Sequence, residues 1–172
     1  MTNLNIELEN EYISLKLDEG KLLELTKKIF DFYMSCPEII DSCCLSGYEY
    51  NSVSFDILFC DNIKTHKINK EYREKDYPAD IITFAVFADS PEQERFVLGF
   101  EINLGEVIIS LDKMIENANH KKIDTETEIL FFISHGILHL LGFDHQSEED
   151  YNFVISRQKE ALGSIDILYD KI

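Results

Sequence analysis

Proline is scarce in this chain, with three residues in 172, and no Pro/Gly/Ser-rich tract or internal repeat divides it. These absences exclude a flexible linker and a repeat array, and they predict one globular domain over residues 1–172. No apolar run approaches the ~20 residues needed to cross a bilayer, so a membrane partner is not expected. The first 30 residues lack the basic start, apolar stretch and small-residue cleavage site of a secretory leader, so the expectation is a soluble, cytoplasmic protein. Cysteine is also sparse: Cys36, Cys43, Cys44 and Cys60 form no Cys-x-x-Cys pair and none adjoins a histidine, which leaves buried, reduced thiols as their reading. Basic residues are outnumbered 16 to 33, giving a net charge of −17. Such a balance opposes a broad nucleic-acid surface, because phosphate binding draws on positive potential. It is not uniform, however. Lys64, Lys67, Lys70, Arg73 and Lys75 fall within twelve positions, and a polyanion would have to bind there.

The hydrophobic pattern mixes both periods. Residues 3–9 and 51–60 alternate apolar with polar side chains, as half-buried strands do. Apolar residues from Glu19 to Met34 recur at helical spacing, with Pro37 as a stop signal. The segment 61–73 reads as a helix whose basic residues step every three positions into an inclined stripe. Ile81 to Phe87 and residues 104–110 read as strands, and Ser110 as the N-cap of a helix running to about His120. Thr125-x-x-Glu128 has the form of a capping box ahead of an apolar stripe ending at Gly142, and a last helix begins after Ser147. The expected fold is α+β, a small mixed sheet packed with several helices.

Three of the five histidines crowd one window, His135-Gly-Ile-Leu-His139-Leu-Leu-Gly142-Phe-Asp-His145. His135 and His139, at i and i+4, project from one helix face a turn apart, the spacing at which two imidazoles grip one ion. Gly142 sits where a helix ends in the left-handed conformation, so the reversed chain can return His145 to the other two. This spacing matches the ligand skeleton of metzincin proteases, and three protein ligands leave a fourth position open, the pattern of catalytic zinc. The residue after the first histidine is Gly136, where such proteases carry their glutamate base. Peptide hydrolysis therefore lacks its proton acceptor, whereas a phosphodiester offers its own oxygen. Asp144 is expected to orient a neighbouring histidine ring. His66 and His120 read as ordinary polar residues.

These residues resemble a known family. The string from His135 to His145 is similar to the signature of the YbeY family of bacterial metal-dependent endoribonucleases. Asn69-x-x-Tyr72-Arg73-x-Lys75-Asp76-x-Pro78-x-Asp80-Ile-Ile-Thr-Phe84 resembles its other motif, and Leu104-Gly-Glu106-Val-Ile-Ile-Ser110 its strand-to-helix element, covering roughly residues 50–160. The resemblance implies that His135, His139 and His145 hold the metal and that Arg73 is needed for activity. The catalytic residues would then be Arg73 and His135, with Arg73, Lys67 and Lys70 toward the substrate. It further implies single-stranded ribosomal RNA as substrate, a role in ribosome maturation and quality control, and ribosomal proteins as partners. Zn²⁺ is the expected ion, with Ni²⁺ another that imidazoles suit. The sequence departs from the family's usual residues at Glu74 (commonly glycine), Ala79 (threonine), Thr83 (serine), Ala85 (proline) and Glu106 (aspartate). The charge at Glu74 and the missing hydroxyl at Ala79 are expected to weaken phosphate contacts.

On this reading the metal activates water and polarises a phosphoryl oxygen, while the Arg73 guanidinium stabilises the charge that grows on phosphate. Two alternatives stand beside it. One is a zinc metallopeptidase, which Gly136 disfavours. The other is a non-catalytic ribosome-assembly factor with a structural metal, its acidic surface turned to basic ribosomal proteins.

Overall fold

The computed structural model describes residues 2–170. Four strands form one mixed sheet in the order β1-β2-β4-β3. Strands β1 (Asn3–Asn10), β2 (Ser52–Cys60) and β4 (Glu101–Ser110) run parallel, and β3 (Ile81–Phe84) pairs antiparallel with β4 at the edge. Six α-helices complete the fold among the described residues: α1 (Glu19–Tyr33), α2 (Pro37–Ser42), α3 (Asn62–Arg73), α4 (Leu111–Lys121), α5 (Thr125–Leu140) and α6 (Glu148–Gly163). This is the α+β architecture expected from the mixed periodicity.

The alternation of β2 decides the layering. Val53, Phe55, Ile57 and Phe59 point into the main core with Ile102, Val107 and Ile109 of β4, and helices α1 and α5 close that face. Leu58, Cys60, Ile82, Ile108 and Ala79 form a smaller cluster on the opposite face, against which Ile68 of α3 packs. Helix α5 is apolar nearly all round, as a helix enclosed by other elements must be. It contacts α1, α4 and α6 as well as β3 and β4. Burying Ile129, Ile133, Ile137 and Leu140 removes four aliphatic side chains from water, at about 1.5–3 kcal/mol each before the entropy of ordering them is counted. Gly136 brings the helix close to the sheet, for an added Cβ there would lie 2.8 Å from Val107 and 3.3 Å from Ile81.

Several boundaries differ from expectation, each for a local reason. Strand β3 ends at Phe84 rather than Phe87, because the chain turns at once and Asp89 N–H donates to the Ala85 carbonyl. Strand β4 starts at Glu101, since Glu101, Ile102 and Asn103 already pair with Ser52, Val53 and Ser54 of β2, and Ile102 and Leu104 are buried as well. The register with β2 shifts between Asn103 and Glu106, where Gly105, at φ +125°, lies in a bulge and a Cβ would strike the Phe84 carbonyl. Pro37 opens α2 at its first position, where its missing N–H costs nothing.

The capping box at Thr125 does not form. The N-cap is Asp124, and Glu128 turns inward, fully buried, to accept from Lys121 Nζ (2.8 Å) and Tyr169 OH (3.1 Å). A buried carboxylate is stable only with such partners, and these tie the C-terminal segment to α5. Cys43, Cys44 and Cys60 are buried thiols. Burial pushes Cys44 and Cys60 up to about 12, so neither is a nucleophile near neutrality.

Candidate metal centre

Helix α5 stops because the chain leaves it in a Schellman motif. Gly142 N–H donates to the His139 carbonyl (3.0 Å) and Phe143 N–H to Leu138 (2.9 Å), with Gly142 at φ +97°. The reversal carries residues 143–147 back across the helix end. As the spacing anticipated, His135, His139 and His145 meet, with one ring nitrogen from each lying within 4.8 Å of the others. Ring centroids are 4.5 Å apart for His135–His139 and 5.2 Å for each of the other pairs. His135 and His139 are half-buried, and His145 is exposed on the outer side.

Electrostatics favour the neutral form of His135 and His139. Burial is the main cause that pushes His139 down to about 4, and the charges of His135, His145 and Arg73 add to it, while Asp144 opposes. Burial also pulls His135 below its ordinary value, with Gln158 opposing and His145 assisting. The Nε2 atoms of His135 and His139 are 2.9 Å apart, so a single proton must lie between them, at a place a cation can take. A donor set of three imidazole nitrogens, with no carboxylate or thiolate among it, is of the kind that holds Zn²⁺, Ni²⁺ or Cu²⁺. The residues present therefore fit a transition-metal ion.

Gln158 of α6 went unnoticed in the sequence. Its Oε1 lies 3.0 Å from His135 Nδ1, on the side of the ring away from the other histidines. Asp144 does not orient a histidine ring, contrary to expectation. Its Oδ1 accepts from the His145 backbone N–H (2.7 Å) and its Oδ2 from the Gln146 side chain (2.8 Å), so it shapes the turn that delivers His145.

The α3 stripe divides. Arg73, at the end of the helix, stands near enough to the histidines for its charge to act on His139. Lys67 instead lines a cavity of about 790 Å³ over the opposite face of the sheet, among Glu9, Glu11, Asp56, Glu71 and Glu106. Lys64 is held there by Glu11 (2.7 Å), and Lys70 lies 3.6 Å from Asp76, which also meets His66 at 2.8 Å. Burial and the facing Asp56 raise the Glu106 carboxyl. Among the described residues, neither Lys67 nor Arg73 has a carboxylate within ion-pair distance.

The departures at Glu74 and Ala79 also acquire positions. Glu74 caps α3 in the left-handed conformation, at φ 56°, which accounts for a glycine preference there. Ala79 is buried in the smaller apolar cluster, so the expectation that it affects phosphate contact finds no support.

Fold and site together define a small α+β protein with a three-histidine centre on a helix and its C-terminal turn. The chain belongs to the YbeY family: residues 6–166 match the family model described as Endoribonuclease YbeY. Curated relatives of that name include one from Fusobacterium nucleatum, 40% identical over 99% of this chain and 95% of the relative. Another, from Oceanobacillus iheyensis, is 32% identical over 95% of this chain and 99% of the relative. Among solved structures, the solution structure of a Thermotoga maritima protein shares the fold, with a TM-score of 0.55 and 23% identity over 94% of this chain and 91% of that one.

Proposed function

We propose that this protein is a metal-dependent endoribonuclease that hydrolyses single-stranded RNA in ribosomal RNA processing and ribosome maturation, with the whole chain as one catalytic domain. Membership of an endoribonuclease family supports the reaction class. The observation that carries the mechanism is the convergence of three imidazoles, with one arginine whose charge reaches His139. His135, His139 and His145 would hold the ion, and Zn²⁺ is the ion we assign. A bound ion of this class supplies Lewis acidity, lowering the pKa of water and polarising a phosphoryl oxygen.

The chain's own residues supply the rest. Arg73 offers a planar, permanently charged fork to the scissile phosphate, where its contacts strengthen as charge builds on the oxygens. The other basic residues of α3, with Lys67 and Lys70 exposed among them, would attract the flanking phosphates. No side chain at position 136 can serve as a base, because the direction a side chain would take is filled by Val107. That packing disfavours the metallopeptidase reading and leaves the substrate's own phosphate oxygen as proton acceptor. The acidic remainder of the surface suits basic ribosomal proteins better than it suits duplex nucleic acid. No helix among the described residues is long and apolar enough to cross a membrane.

Metal analysis and cleavage of labelled single-stranded RNA by wild type and His139→Ala test the reading. Wild type should carry about one ion per chain and cut, and the variant should lose both, since alanine suits the helix and only a ligand is removed. Cleavage retained by a metal-free variant would sink it.

A further inference from the structure

Gln158 is fully buried at the contact of α6 with α5, and its surroundings fix which end of the amide faces which way. The Nε2 end lies 3.1 Å from the Phe131 carbonyl and 3.4 Å from Ser134 Oγ. Ser134 has already committed its hydroxyl proton to the Phe131 carbonyl at 2.6 Å, so it faces Gln158 with lone pairs. Both neighbours at that end are acceptors, and only the –NH2 can sit there. Oε1 is thereby aimed at His135 Nδ1, at 3.0 Å. An amide oxygen only accepts, so Nδ1 must be the protonated nitrogen. A neutral imidazole has one N–H, and Nε2, the atom facing His139, is left with its lone pair.

We infer that Gln158 is a positioning residue that commits His135 to the Nδ1–H tautomer and so presents the Nε2 lone pair to the ion. This inference rests on the reading that the three histidines hold a metal. His145, by contrast, is exposed, and the carboxylate of the adjacent Asp144 is engaged by the turn. His135 is therefore the ligand whose tautomer is set in advance by the core. The chain of bonds from the Phe131 carbonyl through Ser134 and Gln158 to His135 makes α6 part of the site, although α6 contributes no ligand.

The test compares wild type, Gln158→Met, which keeps the volume and removes the acceptor, and Gln158→Glu, whose buried carboxyl, in its protonated form, keeps an acceptor for His135 and a donor for the Phe131 carbonyl. Zn²⁺ affinity is measured by chelator competition, and the His135 tautomer by two-bond ¹H–¹⁵N correlation on metal-free protein. Losing the partner of a metal-bound imidazole typically weakens affinity about 10–100-fold. Gln158→Met should show that loss and shift His135 toward Nε2–H, whereas Gln158→Glu should bind within about threefold of wild type. Wild-type affinity in Gln158→Met, or an Nε2–H tautomer for His135 in metal-free wild type, would overturn the inference. Should Gln158→Met fail to fold by circular dichroism, the wild-type tautomer and the Gln158→Glu affinity still decide. Failure of wild type to bind Zn²⁺ would instead refute the metal reading, while the tautomer measurement on the same protein judges Gln158 independently.

Discussion

Two histidines of the centre and the basic residues of α3 are alike in being regularly spaced along a helix, yet the structure treats them differently. His135 and His139 sit on a helix enclosed by α1, α4, α6 and the sheet, so their backbone positions and ring directions are fixed by packing. The stripe lies on an exposed helix, and its members are drawn off by whichever carboxylates the fold brings near: Lys64 by Glu11, Lys70 by Asp76. Spacing along a buried helix therefore translates into a site. On a surface helix it says only which residues start out on one face.

The largest expected effect tests whether the stripe contributes to chemistry at all. Arg73→Ala should lower turnover on single-stranded RNA by about 10²–10³, the usual loss for one donor aimed at developing charge. Bound metal should stay at the wild-type level, because Arg73 is not a ligand. Arg73→Lys should restore only part, since an ammonium cannot make the paired planar contact. Unchanged turnover in Arg73→Ala would reduce the arginine to a surface charge.

On the buried side, Gly136→Glu asks whether the missing base is a matter of packing. The new side chain would be driven into Val107 and Ile81. Overpacking and burial of a carboxylate together should cost about 3 kcal/mol or more in a urea titration. Val107→Ala in the same background should recover part of the loss. A stable Gly136→Glu protein with new peptidase activity would show that a glutamate can be accommodated there after all.

How far the sequence could be read follows the same division. The convergence of the three histidines was legible because its geometry is set by one helix and one glycine turn, both local. Gln158 was not, although a signal existed: Val154, Gln158, Ala161 and Leu162 share the buried stripe of α6, and a polar residue in such a stripe demands a partner. The capping box misled because Asp124, one residue earlier, is also a capping type, and Glu128 had a stronger use inside. Helix α2 has six residues, too few to show a period. The fate of the lysines depended on Glu11 and Asp76, one of them more than fifty positions away from its partner, which no local pattern reports.

Acid provides a third probe, again of the buried region. In the fold His139 titrates at about 4 against an ordinary 6.5, so between those values the unfolded chain binds the extra proton. Stability of the metal-free protein should therefore be at its full value above pH 6.5 and fall as pH drops toward 4. The whole shift corresponds to ~3 kcal/mol, and partial solvent access reduces the expected loss to about 2 kcal/mol. The measurement is the difference in melting temperature between wild type and His139→Ala across that window, each with chelator present. Parallel curves would mean that His139 is not held neutral by its surroundings.

A smaller effect concerns the helix end that carries Arg73. Glu74 adopts φ 56°, a region that costs a non-glycine residue about 1–2 kcal/mol. Glu74→Gly should stabilise the protein by about 0.5–1 kcal/mol once the added freedom of the unfolded chain is subtracted. A loss of stability would show instead that the Glu74 side chain makes a contact worth more than the strain.

The finest distinction is within the stripe. Lys67 has no carboxylate partner among the described residues but faces an acid-lined cavity, whereas Lys70 shares Asp76 with His66. If RNA follows the exposed side of α3 from Arg73, Lys67→Ala should flatten the dependence of log affinity on log salt by about 0.7, the increment for one phosphate contact on a single strand. Lys70→Ala should change it less, because Asp76 already neutralises part of that charge. Equal and negligible changes in both variants would confine RNA contact to the arginine end of the helix, and the stripe would then be a solvated face that happens to terminate at the site.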